Sequence, residues 1–437
     1  MSASSFVESL RVAAPYIHAH RGATFVVLVG GEAVRTERLP SLMHDVALLH
    51  GLGVRVVLVH GTRPQIERRL ETRKIASRFV GDARVTDRAT LACVHEAVGD
   101  ARARIEAALS MGAVNTPMAN ARIRVMSGNF VTARPIGVRD GVDYLFTGEV
   151  RRVDTIGIER GLDAGAIVVV SPLGYSPTGE SFNLASHDVA ADVAVALKAS
   201  KLVGLIEGRG ALDARRRLIS QLTPNEADAL ATKRNRQGAD VRKHILAAAR
   251  AVRGGVPRAH LVDRRRDGAL IDELFTREGT GTLVTQEAYE DVRRARIDDL
   301  GSLATLLRPL EDQGILVRRS RERLEMELDR FMVIDRDGLV IGCAALEAFP
   351  DVSMGELYCV AIHDRYREVG RGEALVDRLE ARAREQGLER LFVLTTRSAH
   401  FFQERGFVPA SVRQLPPSRR ASYDKTRRSR VLIKELA

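Results

Sequence analysis

The chain has 437 residues, 45% of them hydrophobic and 28% charged, and a formal net charge of +11. That is long for one domain and ordinary for a globular protein, so two or three packed units are expected and a disordered or fibrous chain is excluded. Arg and Lys are spread along the whole length with no recognisable nucleic-acid module, which leaves a solubilising Arg-rich surface, part of it free to serve anionic small ligands, and argues against nucleic acid as a partner.

Residues 5–19 place apolar side chains at helical spacing with charges between them. They lack the continuous apolar core of a signal peptide, and no window approaches the length of a membrane span. Cys93, Cys343 and Cys359 share no close spacing, so neither a disulfide framework nor a metal cluster is expected. The expectation is a cytoplasmic protein with no membrane partner and no metal.

Next come TFVVLVGG, a helical stretch from about Leu39 to His50, and GVRVVLVHG. Each apolar strand ends in a Gly-containing turn. AIVVVSPLG and KLVGLIEG continue the pattern, and buried strands alternating with amphipathic helices predict an α/β unit with a mostly parallel sheet covered on both faces. Residues 225–255 read as Arg-rich helices, and ALIDELFTREGTGTLV as helix, Gly-rich turn and final strand. The pattern then restarts across an expected linker at 284–290. A helix in IDDLGSLATLLRPL precedes a hairpin in RFMVIDRDGLVIGCAALEAF, turned at Asp337-Gly338.

The segment LYCVAIHDRYREVGRGEAL reads as an apolar strand, a basic turn and a helix start. Gly370 and Gly372 leave room for backbone N–H groups to close around a pyrophosphate, and the helix start adds its dipole and unpaired donors. A ligand with two carboxylates would want two separated guanidinium clamps, and the Arg-rich ILVRRSRERLE and TRRSRVLIKEL offer them, although most of these arginines must be solvated surface.

Arg-x-x-Gly-x-Gly in that setting, followed by RLFVLTT and SAHFFQERGF, resembles the acetyl-CoA loop of the GCN5-related N-acetyltransferases (GNAT) across residues 291–437. The resemblance implies an α+β domain using acetyl-CoA, with Tyr358, Cys359, Val360 and Ala361 meeting the pantetheine and thioester and Arg367, Gly370, Arg371 and Gly372 holding the pyrophosphate. Acetyl transfer to an amine needs donors that polarise the thioester carbonyl and a general base, because an α-amino group is largely protonated near neutrality; the resemblance places Glu356 as that base, with an ordinary strand-edge carboxylate as the alternative. Phe402 stands where many members carry a Tyr acid, so Thr395 or solvent must protonate the thiolate. An acyl-cysteine at Cys359 is disfavoured, since direct transfer is the family's habit.

More narrowly, ILVRRSRERLE, LFVLTTRSAHFFQERGF and RRSRVLIKEL resemble the N-acetylglutamate synthase family. Arg319, Arg427 and Ser429 would then hold the carboxylates of L-glutamate, in the first step of arginine biosynthesis. Residues 20–283 resemble the amino acid kinase fold, a three-layer α/β sandwich, through Gly30-Gly31, His60-Gly61, Arg84, Asn183 and Asp188. Leu28 occupies the position of the kinase Lys, and His60-Gly61-Thr62-Arg63-Pro64 replaces a glycine-richer loop. Phosphoryl transfer depends on such positioning and charge, so an inactive kinase-like domain is expected, with a bifunctional synthase/kinase as the alternative. The resemblance implies feedback inhibition by L-arginine at Glu273, Gly279 and, more weakly, Lys201. Glu273 as a solvated helix residue is the alternative. Residues 1–19 would tie the chain into a homo-oligomer, a hexamer by the family pattern.

Overall fold

The computed structural model describes residues 3–110, 123–232, 237–276, 279–286, 290–336, 338–367 and 370–436. Residues 1–2 of the expected N-terminal helix, 287–289 of the expected linker, Asp337 of the hairpin turn, and Glu368 and Val369 of the glycine-rich turn lie outside them. The chain divides into two compact units, Met1–Glu287 and Ala288–Ala437.

In the first unit the apolar runs form one eight-stranded sheet. Its order is Gln221–Leu222, Thr282–Val284, Arg258–Asp263, Lys201–Ile206, Thr24–Val29, Arg55–His60, Ala166–Val170 and Arg124–Ser127. Every pairing is parallel except that of Arg258–Asp263 with Thr282–Val284. Alternation splits each strand between two cores. Val26 and Leu28 pack with Val189 and Ile245 on one face, while Phe25, Val27 and Val29 pack with Met43, Ile105 and Leu274 on the other. This is a three-layer α/β arrangement with helices on both faces.

A second sheet, ordered Ser181–Asn183, Leu173–Tyr175, Val131–Pro135 and Gly148–Val153, stands beside it. Its strands are short and polar, and periodicity alone does not announce them. The N-terminal helix, Ala3–His20, lays Ala13, Tyr16 and Ile17 against the second core and leaves Phe6, Val7 and Leu10 exposed. No described helix is long and apolar enough to cross a membrane.

The second unit carries a seven-stranded sheet, ordered Glu290–Arg294, Phe331–Arg336, Leu339–Phe349, Met354–Ile362, Arg390–Thr395, Arg430–Glu435 and Val408–Ala410. All its pairings are antiparallel except that of Met354–Ile362 with Arg390–Thr395, joined by the crossover helix Arg371–Glu385. Leu375, Val376 and Leu379 of that helix cover one face, and Leu303, Leu306 and Leu307 of helix Leu300–Asp312 cover the other. The edge strand begins at Glu290, a residue expected in the linker. Its charge-dense sequence hides it, as suits an edge strand.

In the first unit, a Cβ on Gly61 would stand 2.7 Å from the Gly31 backbone nitrogen, where nothing flexible can yield. Gly99 is exposed inside helix Arg88–Ser110 with nothing within 4 Å. Gly61→Ala is therefore expected to destabilise the unit by about 1–3 kcal/mol, and Gly99→Ala to stabilise it by about 0.5–1 kcal/mol. Calorimetric melting of the two variants checks both signs.

Candidate active site

The parallel pair at the centre of the second unit's seven-stranded sheet is only half zipped. Met354–Ile362 pairs with Arg390–Thr395 from Met354↔Arg390 to Leu357↔Val393 and no further among the described residues. The cause lies in the strand itself. Cys359 has φ +52°, and between the pairs Ala345↔Tyr358 and Cys343↔Ala361 the strand holds one residue more than its partner. This β-bulge bends the strand. It also sets Tyr358 and Cys359 on the same face, with Leu357 and Val360 on the crossover-helix face. The edge of Tyr358–Ala361 towards Arg390–Thr395 is thereby left without a ladder and can offer backbone N–H groups to a ligand.

Gly370, at φ +64°, caps the crossover helix, and a Cβ on Gly372 would stand 3.3 Å from the Phe401 ring. The second glycine thus serves helix packing. Arg367 is exposed and pairs with Asp364 at 2.5 Å, and Arg371 donates to the Tyr366 carbonyl at 3.0 Å. Both guanidiniums rest on their own loop.

Glu356 lies in the zipped part of the strand, opposite Phe392, and is only 5% exposed. It is no ordinary strand-edge carboxylate. Arg419 grips it with both arms, Nε to Oε2 at 2.5 Å and Nη2 to Oε1 at 3.1 Å. Burial pushes the Glu356 carboxyl above its ordinary range, and the Arg419 fork pulls it down without cancelling the rise. Sequence reasoning missed Arg419, which sits 63 residues away and looks like one more surface arginine.

Thr395 ends the neighbouring strand, and its hydroxyl oxygen accepts from the Ser398 amide at 2.9 Å and the Arg397 amide at 3.3 Å. Two N–H donors on the oxygen leave the O–H itself free to donate. Phe402 is buried against Phe401 and Phe407 as part of the core. Burial pushes the Cys359 thiol up to about 12, which suits a packing residue and not a nucleophile.

Arg319 lies over the Tyr358 ring at 5.2 Å and is held by Glu327 at 3.4 Å, a partner the sequence did not suggest. Arg427 donates to the carbonyls of Gly314 and Ile315 at 3.2 and 2.8 Å. It lines a cavity of about 530 Å³ with Gln313, Thr396 and Arg397. Ser429 lines a different cavity, of about 440 Å³, with Gln403, Ser411 and Arg430. Arg319 is thus brought over the bulged strand beside Glu356, whereas Arg427 and Ser429 face separate cavities.

In the first unit, Leu28 is buried in an apolar core. A Cβ on Gly31 would meet Pro64 at 2.7 Å and Gln65 at 2.8 Å, and the Gln65 amide donates to the Gly31 carbonyl at 2.8 Å. The space between the two glycine turns is therefore filled by side chains. Arg84 is buried and engaged by Glu67 at 2.7 Å and Ser77 at 2.6 Å. Asn183 donates to Thr86 at 3.1 Å, and Asp188 pairs with Arg250 at 2.8 Å.

Glu273 is buried, contrary to the solvated alternative. Its Oε2 accepts from the amides of Thr280 at 2.5 Å and Gly281 at 2.8 Å, and its Oε1 meets His260 Nδ1 at 2.8 Å. Burial pushes this carboxyl up, but His260 and the two amides outweigh it and hold Glu273 below its ordinary range. Burial also holds His260 low, so an ionised Glu273 accepts from a neutral imidazole. Gly279, at φ +60°, is the residue whose side chain would strike Glu273, at 2.7 Å. Lys201 starts the strand beside Arg258–Asp263 and places its ammonium 5.8 Å from the Phe25 ring centre. His20, from the N-terminal helix, meets the carbonyl of Leu274, the next residue after Glu273, at 2.8 Å.

Two family models match the chain: the amino acid kinase family over residues 23–263 and the acetyltransferase (GNAT) family over residues 271–407. An amino-acid acetyltransferase of Azotobacter vinelandii is 55% identical over 432 residues, 99% of each chain. One of Pseudomonas aeruginosa is 53% identical over the same share. Among solved structures, N-acetylglutamate synthase of Neisseria gonorrhoeae complexed with coenzyme A and L-arginine is 39% identical, with a TM-score of 0.87 over 99% of each chain. The same enzyme complexed with coenzyme A and N-acetyl-glutamate gives a TM-score of 0.63 over the same share.

Because the folded pKa of Glu273 is depressed, its contribution to stability is present above the unfolded value of about 4.3 and is lost as pH falls through the folded value. Glu273→Gln is expected to cost about 1–3 kcal/mol at neutral pH. The gap to the parent should begin to narrow once pH falls below the unfolded value of about 4.3. Urea unfolding at both pH values checks the sign.

Proposed function

Because the chain belongs to the amino-acid acetyltransferase family, in the form with an amino acid kinase-like unit ahead of a GNAT unit, we propose that it moves the acetyl group of acetyl-CoA to the α-amine of L-glutamate. The products are N-acetyl-L-glutamate and CoA, and the step would open arginine biosynthesis. The observation that carries this reading is the buried carboxylate of Glu356 beside the open edge of the bulged strand.

Acetyl-CoA would lie along that edge with its pyrophosphate at Gly370, Arg371 and Gly372, Arg367 swinging from Asp364 to meet it. Backbone N–H groups between Tyr358 and Ala361 would face the thioester oxygen as negative charge develops there. Glu356, its proton affinity raised by burial, takes a proton from the acceptor's ammonium, directly or through one water. The freed amine attacks the carbonyl carbon, the tetrahedral oxyanion collapses and the C–S bond breaks; the nitrogen, cationic after attack, gives up its extra proton to the Thr395 hydroxyl or solvent, which passes one on to the leaving thiolate. Nothing in this sequence calls for an acyl-cysteine. Arg319, already above Tyr358, would take one glutamate carboxylate; Arg427 and Ser429 would complete the grip by turning from the cavities they now line.

The kinase-like unit is read as an arginine sensor without phosphoryl transfer. Leu28 supplies no charge, and Pro64 and Gln65 occupy the space a phosphate would need. Glu273 stays ionised and buried, with a lone pair left on Oε1, which suits a guanidinium. Gly279 keeps the way to it clear, and Lys201 would face the effector's carboxylate. Attachment of the N-terminal helix next to Glu273, with Phe6, Val7 and Leu10 exposed, supports a homo-oligomer, a hexamer, formed through that helix.

Free-thiol release from acetyl-CoA across a panel of amino acids, with and without arginine, tests the whole reading. Glutamate-dependent release lowered by arginine is expected, together with no ATP-dependent phosphorylation of N-acetylglutamate. Release without glutamate would overturn the acceptor, and indifference to arginine the sensor. Glu356→Gln should lower kcat about 100- to 10,000-fold. Arg319→Gln should raise the glutamate KM about tenfold or more. Arg419 opposes the rise of the Glu356 pKa, so Arg419→Gln should move the acid limb of the kcat/KM profile to higher pH.

A further inference from the structure

One cluster in the kinase-like unit is used by none of this chemistry. We propose that His187, Asp240 and His244 form a binding site for a divalent first-row transition ion, with Zn2+ or Co2+ as the fitting probes. His187 opens helix Ser186–Ala196, and Asp240 and His244 lie one turn apart on helix Ala239–Arg253. One ligand atom from each residue falls within 4.8 Å of the other two.

One separation argues for a ligand set and not for a satisfied hydrogen bond. His187 Nε2 stands 3.7 Å from Asp240 Oδ1, too long for a hydrogen bond. Two donors bound tetrahedrally at about 2.0–2.1 Å from an ion stand about 3.4 Å apart, so this pair is within a few tenths of an ångström of sharing one. Among the described residues, no Lys or Arg forms an ion pair with Asp240. Nearby Lys243 faces Asp82, and Arg250 faces Asp188 and Asp192.

His244 supplies the second, independent observation. Its Nδ1 lies 3.0 Å from the carbonyl oxygen of Asp240. The tautomer that donates there leaves the lone pair on Nε2, which is buried without a hydrogen-bond partner in a residue only 2% exposed. A backbone carbonyl that fixes the ring of a ligating histidine is the usual companion of metal sites. Asp240 would then serve twice, as a carboxylate ligand and as the orienting carbonyl. Two imidazoles and one carboxylate suit a borderline ion; Mg2+ and Ca2+ prefer all-oxygen sets. The Asp240 side chain is 47% exposed, which leaves a path for the ion and room for water as a further ligand.

The test uses the full-length chain without an affinity tag, stripped with chelator. Calorimetric titration with Zn2+ and visible absorption on adding Co2+ should show one saturable site per chain, with the band intensity of low coordination. His187→Gln and Asp240→Asn change exposed or half-buried side chains, and each should weaken Zn2+ binding about tenfold or more while melting like the parent without metal. Absence of saturable binding in the parent, or unchanged affinity in both folded variants, would overturn the site.

Discussion

The second unit depends on one backbone decision. Met354–Ile362 runs parallel to Arg390–Thr395 and could pair along its whole length, but a single extra residue at Cys359 turns it away after Leu357. Unpaired backbone groups are costly when buried, so such an edge persists only where solvent or a ligand meets it. The same bulge keeps Tyr358 on the face where Arg319 lies and leaves Glu356 in the paired region, where its position is fixed. Open backbone and a fixed carboxylate are thus adjacent products of one distortion. The left-handed conformation at a non-glycine residue is the strain through which this is achieved.

What could be read from the residues alone follows from the range of the interactions. The parallel strands, the glycine turns and the crossover helix depend on period and local turn chemistry, and they stand where those signals put them. The bulge was invisible because Cys359 carries no mark of a positive φ, as a glycine there would have done. The strand Glu290–Arg294 was hidden by charge, since an edge strand needs apolar residues on only one side. Arg419 was hidden for a different reason: a pair formed across 63 residues leaves no local pattern, and in an Arg-rich chain one more arginine carries no information. The same holds for His260, whose role appears only once the strand Arg258–Asp263 is seen to run beside Glu273.

In the first unit, side chains fill the space between the glycine turns. A Cβ at Gly31 would meet Pro64 and Gln65, so the glycines now permit close packing where a phosphate-binding loop would need open backbone. The stability of the sheet does not depend on phosphate chemistry. Val, Leu and Ile in its central strands are buried on both faces whether or not a phosphate is ever bound.

Two buried glutamates show how environment assigns that task. Glu356 and Glu273 are both nearly inaccessible, and each touches a nitrogen donor, Arg419 or His260. Burial is the largest influence on each, and it favours the neutral acid. At Glu356 the Arg419 fork, with a smaller pull from Arg319, opposes it without cancelling it, and the proton affinity stays raised, as suits a group that is to take up a proton. At Glu273 two backbone amides and His260 act together, and the carboxyl is held ionised. Amides fixed by a turn cannot follow a departing proton, so Glu273 is locked as an anion and is of little use for proton transfer. It is suited instead to holding a cationic group. Chemistry and recognition are thereby assigned to the same residue type by the number of fixed donors around it.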